Sequence, residues 1–164
     1  MPRGGPDWGF LAPQKSLMQL LREQNHFYVN ASTAGAAGKY TTHQLYNPAD
    51  SLVDAFIVAF GHVAEVACDG RMGWDVGSIG ALENYGRNRY SGGTQSEIEV
   101  RWDQRATAVY VNEMWRGEVL TTFSFVDQVY LWLKPGYGLR FILLTADLDL
   151  QNIFMWYEFP STEV

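Results

Sequence analysis

The last third of the chain constrains its fold most. Leu131-Trp132-Leu133 runs into Pro135-Gly136-Tyr137-Gly138, and Leu139-Arg140-Phe141-Ile142-Leu143-Leu144 runs out of it. Proline presets its own φ and glycine takes positive φ at no steric cost, so this tetrapeptide reverses the chain in a few residues. After a second break at Asp147-Leu148-Asp149 comes Ile153-Phe154-Met155-Trp156-Tyr157-Glu158-Phe159. Apolar runs of this length with turn chemistry between them read as strands. The expectation is two hairpin-like units of a β-sandwich, in a protein that works through its surface.

The strand pattern extends upstream to Lys39. Tyr40 to Leu45 is closed by Asn47-Pro48-Ala49-Asp50-Ser51. In the long run from Val53 to Cys68, period 2 puts Val58, Phe60, His62, Ala64, Val66 and Cys68 on one face, with Gly61 marking a bulge or bend. Asp69-Gly70 is a hairpin-type dipeptide before Arg71 to Val76. Residues 77–95 read as loop. Glu97 to Trp102 alternates, with Ile98, Val100 and Trp102 inward and Glu97, Glu99 and Arg101 on a charged outer face. Ala106 to Val111, Val119 to Phe125 and Val129 to Leu133 complete eight to ten short strands. Strands that do not alternate with helices exclude a parallel α/β sheet. The expected fold is all-β: an antiparallel two-sheet β-sandwich, jelly-roll-like, over 39–164. A closed barrel is the alternative.

Residues 1–38 read as an arm. The first thirteen hold Pro2, Pro6, Pro13, Gly4, Gly5 and Gly9, which forbid regular structure. They also hold Trp8, Phe10 and Leu11, large apolar side chains suited to docking on a partner. Residues 14–24 predict one short helix, with Leu17, Leu20, Leu21 and Gln24 sharing a face and Ser16 as a cap. Phe27-Tyr28-Val29 predicts a small strand, and Ala31 to Gly38 a loop.

Composition narrows the function. At 164 residues the chain is one domain, 47% hydrophobic and 15% aromatic, with a net charge of −6. Three lysines, Lys15, Lys39 and Lys134, give no basic footprint for nucleic acid. A single cysteine, Cys68, cannot form an internal disulfide. No apolar run approaches the roughly 20 residues needed to span a bilayer, and the N-terminus lacks a hydrophobic signal core. The expectation is a soluble protein, without cofactor, metal or membrane partner.

No constellation reads as catalytic. His26, His43 and His62 have no partner at metal-ligand spacing, and His62 and Cys68 would lie ~20 Å apart along a strand. Asp147 and Asp149 could offer oxygens to a hard cation, but a solvated turn explains them. Cys68 lacks a catalytic signature, no Ser sits in a Gly-x-Ser-x-Gly elbow, and Gly136-Tyr137-Gly138 leads into a strand, not a helix. Glu97, Glu99, Glu113 and Glu118 are better read as surface charge than as a hydrolytic pair. A candidate binding loop is Glu83 to Tyr90, where Tyr85, Arg87, Arg89 and Tyr90 have the composition of adaptable binding surfaces.

From Lys39 onward the chain resembles small β-sandwich structural proteins of tailed bacteriophages. The resemblance is carried by three motifs in matching order. Leu45-Tyr46-Asn47-Pro48-Ala49-Asp50-Ser51 is similar to their Asn-Pro-Ala-x-Ser turn. Lys134-Pro135-Gly136-Tyr137-Gly138-Leu139 is similar to their Pro-Gly-x-Gly-Leu turn. Phe154-Met155-Trp156-Tyr157-Glu158-Phe159-Pro160 is like their last strand. About 120 residues are covered; the first 38 match no such pattern. The resemblance implies a virion part: a head decoration or cement protein, a head fibre or a tail component. It further implies docking on the major capsid protein or another virion protein, and a homo-oligomer, preferably a trimer. The aromatic strands holding Trp115, Trp132 and Trp156 would supply a self-association face. The competing reading is a receptor- or carbohydrate-binding β-sandwich, and a third is a small jelly-roll hydrolase or isomerase.

Overall fold

The computed structural model describes residues 25–89, 93–108 and 112–161. Among these there is no helix, and all regular structure is strand. The expected helix over 14–24 and the arm residues Trp8, Phe10 and Leu11 lie outside the described residues. Eleven strands are present among the described residues: β1 His26–Thr33, β2 Tyr40–Tyr46, β3 Val53–Ala64, β4 Cys68–Val76, β5 Ala81–Tyr85, β6 Arg87–Asn88, β7 Glu99–Arg105, β8 Asn112–Val119, β9 Ser124–Leu133, β10 Tyr137–Leu143 and β11 Leu150–Pro160.

They form two antiparallel sheets. Sheet 1 has the order β6-β1-β11-β3-β9 and sheet 2 the order β5-β7-β2-β10-β4-β8. No two of these strands consecutive in the chain are hydrogen-bonded neighbours. The two hairpin-like units expected at the C-terminus are therefore corrected. β9 and β11 lie in sheet 1 and β10 between them lies in sheet 2, so each reversal crosses the core. The Pro135-Gly136 turn does reverse the chain, with Gly136 at φ 83°. Gly138 is needed for another reason. In β10 it leaves room for the Gln44 side chain, which a Cβ would strike.

Other boundaries also move. β1, expected within the arm, runs beside β11 in sheet 1, so the sandwich begins before residue 39. Asp69 and Gly70 lie inside β4, opposite Glu118 and Gly117; a Cβ on Gly70 would meet Val119 and Phe141. The stretch read as loop over 77–95 contains β5 and β6. Ala106 to Ala108 is not strand, and β9 starts only at Ser124. The bulge in β3 falls between Ile57 and Ala59, not at Gly61.

One apolar core joins the sheets. From sheet 1 it takes Phe27, Val29, Ala31, Ala55, Ile57, Phe60, Leu133, Leu150, Phe154 and Trp156; from sheet 2, Leu45, Met72, Val100, Val119, Leu139, Phe141 and Leu143. Inward Val100 and Ile98 follow the alternation read from the sequence, and Glu99 pairs with Arg101 at 2.5 Å outside.

A polar tie crosses this core. His43 of β2 is fully buried. Its Nδ1 lies 2.7 Å from Asn152 Oδ1 on β11, and its Nε2 lies 2.9 Å from Thr33 Oγ1 at the end of β1. A neutral ring satisfies both if Nδ1–H donates and the threonine hydroxyl donates to Nε2. Asn152 Nδ2 in turn donates to Gly61 O at 3.3 Å. Burial lowers the His43 pKa from 6.5 to about 4, against the opposing hydrogen bond to Asn152.

The unfolded chain therefore takes up this proton first. The stability that neutral His43 contributes is complete above about pH 6.5 and is lost as pH falls toward 4. Denaturant melts across this window should show a slope containing up to one proton from His43, about 1.4 kcal/mol per pH unit. His43→Gln should remove that proton from the slope. An unchanged slope in the variant would show that His43 titrates alike in both states.

Candidate functional site

The two outer faces differ in chemistry. On sheet 2 the outward side chains pair with one another. Arg71 meets Glu113 at 2.9 Å, and Arg105 pairs with Asp103. Arg140, buried outside the main core, pairs with Asp75. The segment Gly77 to Gly80 is clamped over this face. Gln44 Nε2 donates to Gly77 O at 3.0 Å, Gln44 Oε1 accepts from Ile79 N at 3.0 Å, and Arg101 Nε donates to Ile79 O at 2.7 Å. The face is polar and largely satisfied from within.

Sheet 1 is the opposite. Register places His26, Tyr157, Phe56 and Trp132 side by side across β1, β11, β3 and β9. Phe27 and Trp156 point into the core, so this row points out. Its rings touch: His26 stacks on Tyr157 at 4.5 Å, and Phe56 meets Trp132 at 4.8 Å. Tyr130 stacks on Phe56 at 5.9 Å, and Phe159 meets Trp132 at 5.6 Å. The next rows are Tyr28, Met155 and Ala59, then Asn30, Ile153, Gly61 and Phe125. Polar residues enter these rows at Arg87 beside Tyr28, at Asp127 opposite Ala59 and at Asn30, and continue with Ser32 and Gln151. Trp132 is 50% exposed, Tyr130 59% and Phe125 47%. Gly61 is a requirement of this surface, because a Cβ there would strike the rings of Phe123 and Phe125.

One ion pair marks the corner of the face. Lys134 Nζ donates to Asp54 Oδ2 at 2.7 Å, and Asp54 is buried. Asp54, Trp132, Lys134, Phe159 and Pro160 line a recess of about 480 Å³ on one side of Trp132. Trp74, Asn112, Trp132, Lys134 and Tyr137 line another, about 300 Å³, on the other side.

The residues singled out from sequence fall elsewhere. Tyr85 ends β5, Arg87 lies in β6 and Arg89 follows it; Tyr90 lies outside the described residues. This stretch is an edge ribbon against β1, where Arg89 N donates to His26 O at 2.9 Å. Arg87 shares a small recess with Tyr28 and Asn84, at the margin of the aromatic face. Asp147 and Asp149 act as hydrogen-bond acceptors: Asp147 Oδ1 accepts from Gly38 N, and Asp149 Oδ1 from Gly35 N at 2.6 Å. They hold the β1–β2 connection. Of the three tryptophans assigned to a self-association face, only Trp132 is exposed. Trp156 is buried, and Trp115 stacks inside against His62 and Phe141.

Titratable groups are dispersed. Among the described residues no three His, Cys, Asp or Glu side chains are grouped to hold a metal. Burial, with Arg89 nearby, lowers the His26 pKa to about 4. Burial raises Glu158, whose Oε1 accepts from Ser96 Oγ and from Trp156 Nε1. Burial also raises Glu83, which accepts from Ser32 N at 2.9 Å. Each of these carboxylates holds neighbouring chain rather than facing an open cleft. No helix among the described residues is long and apolar enough to cross a membrane.

No family model, curated protein or solved structure matches the chain.

The corner pair is testable. Removing the Lys134 ammonium leaves a buried carboxylate short of its counter-charge, which costs more than removing both groups. A double-mutant cycle of Asp54→Asn and Lys134→Met should give a coupling of about 1–3 kcal/mol by chemical denaturation. A coupling near zero would mean that the pair does not hold this corner.

Proposed function

We propose that the chain is a non-enzymatic structural protein of a virion, a capsid decoration protein that docks on the major capsid protein through Trp8, Phe10 and Leu11. The observation that carries the reading is the contrast between the two outer faces. One is ion-paired and satisfied from within. The other is a row of aromatic rings with little hydrogen-bonding chemistry, the composition of an assembly surface rather than a substrate cleft.

The topology supports the same class. Setting aside the short strands β5 and β6, and β7 between β5 and β2, eight strands remain. They pair as β1 with β11, β2 with β10, β3 with β9 and β4 with β8. We read a long antiparallel ribbon with this nested pairing, rolled so that alternate pairs fall in opposite sheets, as a jelly roll. That architecture is shared by viral capsid domains, lectins and cupins. Fold alone does not choose among them; the phage-like turns at Asn47-Pro48 and Pro135-Gly136 favour the virion.

Deleting residues 1–13 tests the attachment. Burying three apolar side chains contributes roughly 1.5–3 kcal/mol each, whereas ordering about a dozen residues costs roughly 1–2 kcal/mol each. The arm should therefore gain order only against a neighbour. The truncated protein should melt within a few degrees of the full chain yet fail to co-sediment with purified capsids. Normal co-sedimentation of the truncated protein would overturn the arm's role.

A second reading, glycan or receptor binding, is favoured by the recess of Trp74, Trp132 and Tyr137 with Asn112 and Lys134. Aromatic platforms beside polar groups suit sugar rings. The structural reading expects no retention on a glycan array. A glycan held by the full chain and lost in Tyr137→Ala would replace it.

A further inference from the structure

We infer that residues 14–24 of this chain lie across the outer face of sheet 1, with Leu17, Leu20 and Leu21 on the row of His26, Tyr157 and Phe56. The inference concerns the chain's own packing and stands apart from the virion reading.

Two unmet requirements fall in one place. The first belongs to the segment. Its leucines share one helical face, yet so short a helix does not persist in water without packing. The second belongs to the sheet. His26 is 2% exposed and Tyr157 8%, although both point away from the core between the sheets. Among the described residues no strand lies over them, because sheet 2 packs on the opposite side, against Phe27 and Trp156. Neither ring nitrogen of His26 has a hydrogen-bond partner among the described residues, so what shuts this ring from water is apolar.

Position and length select the segment. Asn25 O accepts from Glu158 N at 3.0 Å, so the chain before Asn25 leaves the sheet beside Tyr157 and His26. Exposure grows with distance from that point: His26 and Tyr157 are buried, Phe56 is half-buried and Trp132 is half exposed. A helix over 14–24 is ~16 Å long, and β1, β11, β3 and β9 at ~4.8 Å spacing span ~14 Å. A segment tethered next to His26 is held at roughly millimolar effective concentration, ahead of any separate partner.

The row is also narrow. Phe159, Asp54 and Lys134 bound it on one side, and Arg87 and Asp127 enter the next row on the other. One apolar row between charged ones fits the leucine stripe of a single helix and is too thin for the apolar centre of a broad interface. This placement also aims the arm. With Gln24 at β1, residue 14 reaches β9, and residues 1–13 leave the sandwich beside Tyr130 and Trp132. The open rings of β9 and the apolar side chains of the arm then form one surface for a partner.

A photo-crosslinking phenylalanine analogue at Phe56 of the full chain tests this. In a mixture of unlabelled and isotope-labelled protein we expect links within one chain, to residues 14–24. Denaturant melts give an independent readout. Leu20→Asp should raise the unfolding equilibrium constant at least ~30-fold, whereas Gln19→Asp, on the opposite side of the helix, should change it by less than ~3-fold. Links to another copy, or to no residue of 14–24, would overturn the inference. So would a Leu20→Asp variant as stable as Gln19→Asp. Co-sedimentation with capsids is a separate measurement: a protein that ignores capsids yet crosslinks within its own chain would sink the virion reading and leave this one standing.

Discussion

Every long strand of this protein must find its hydrogen-bond partner far away in the sequence. The ladders β1–β11, β2–β10, β3–β9 and β4–β8 are nested, and none joins neighbours in the chain. β10 lies between β2 and β4, and β11 between β1 and β3, so the C-terminal strands are the middle of both sheets. Local turns cannot set such registers. They are set by the inward alternation of apolar side chains, where a one-residue slip would expose Phe141 or Phe154 and bury their polar neighbours. The His43–Asn152–Thr33 tie adds a directional requirement, because only one relative placement of the sheets satisfies all three side chains.

The same nesting explains why small features far apart act together. Asp147 and Asp149, late in the chain, receive the backbone N–H groups of Gly38 and Gly35 and so close the β1–β2 connection. Asn47, after β2, donates to Val53 O and Leu133 O. Its backbone also exchanges hydrogen bonds with Gly136 and Tyr137. The Asn-Pro turn and the Pro-Gly turn, which look independent in the sequence, are one structural unit at one end of the sandwich.

Much of this was legible in the residues. The all-β class, the antiparallel arrangement, the inward Ile98 and Val100 and the outer charges of β7 follow from period-2 alternation. Turn dipeptides were less informative. Asp69-Gly70 reads as a reversal but serves as a gap beneath Val119 and Phe141, and Gly138 makes room for Gln44. A glycine that relieves a long-range clash looks the same in sequence as one that relieves a turn. Sheet membership was not legible either, since a reversal such as Pro135-Gly136 serves equally for a hairpin or a crossing between sheets. The aromatic face was partly visible. In 153–159 both alternating sets are largely apolar: Phe154 and Trp156 enter the core between the sheets, while Ile153, Met155, Tyr157 and Phe159 lie on the outer side, with Tyr157 buried there. The residue types near Tyr85 and Arg87 drew attention instead, because polar and aromatic mixtures are the familiar mark of a binding loop.

A strand apolar on both sides has two physical explanations: it is covered by its own fold, or it is covered by something else. For β11 and β3 the first explanation covers much of both sides, since Tyr157, Ala59 and Gly61 are buried and Phe56, Ile153 and Met155 half-buried; the most exposed rings are those of β9. Sheet 2 shows how this chain treats an outer face that stays in water. There, arginine–carboxylate pairs and the clamp of Gly77 to Gly80 leave few polar groups unmet and cover Ile79 and Ile142. The same chain places Tyr130 and Trp132 in water on sheet 1 and keeps position 61 a glycine, so that the rings of Phe123 and Phe125 can lie there. Water alone gives no reason for that arrangement, because each ring would be more stable covered. The difference between the two faces is the observation behind the proposal that the molecule is a part of an assembly.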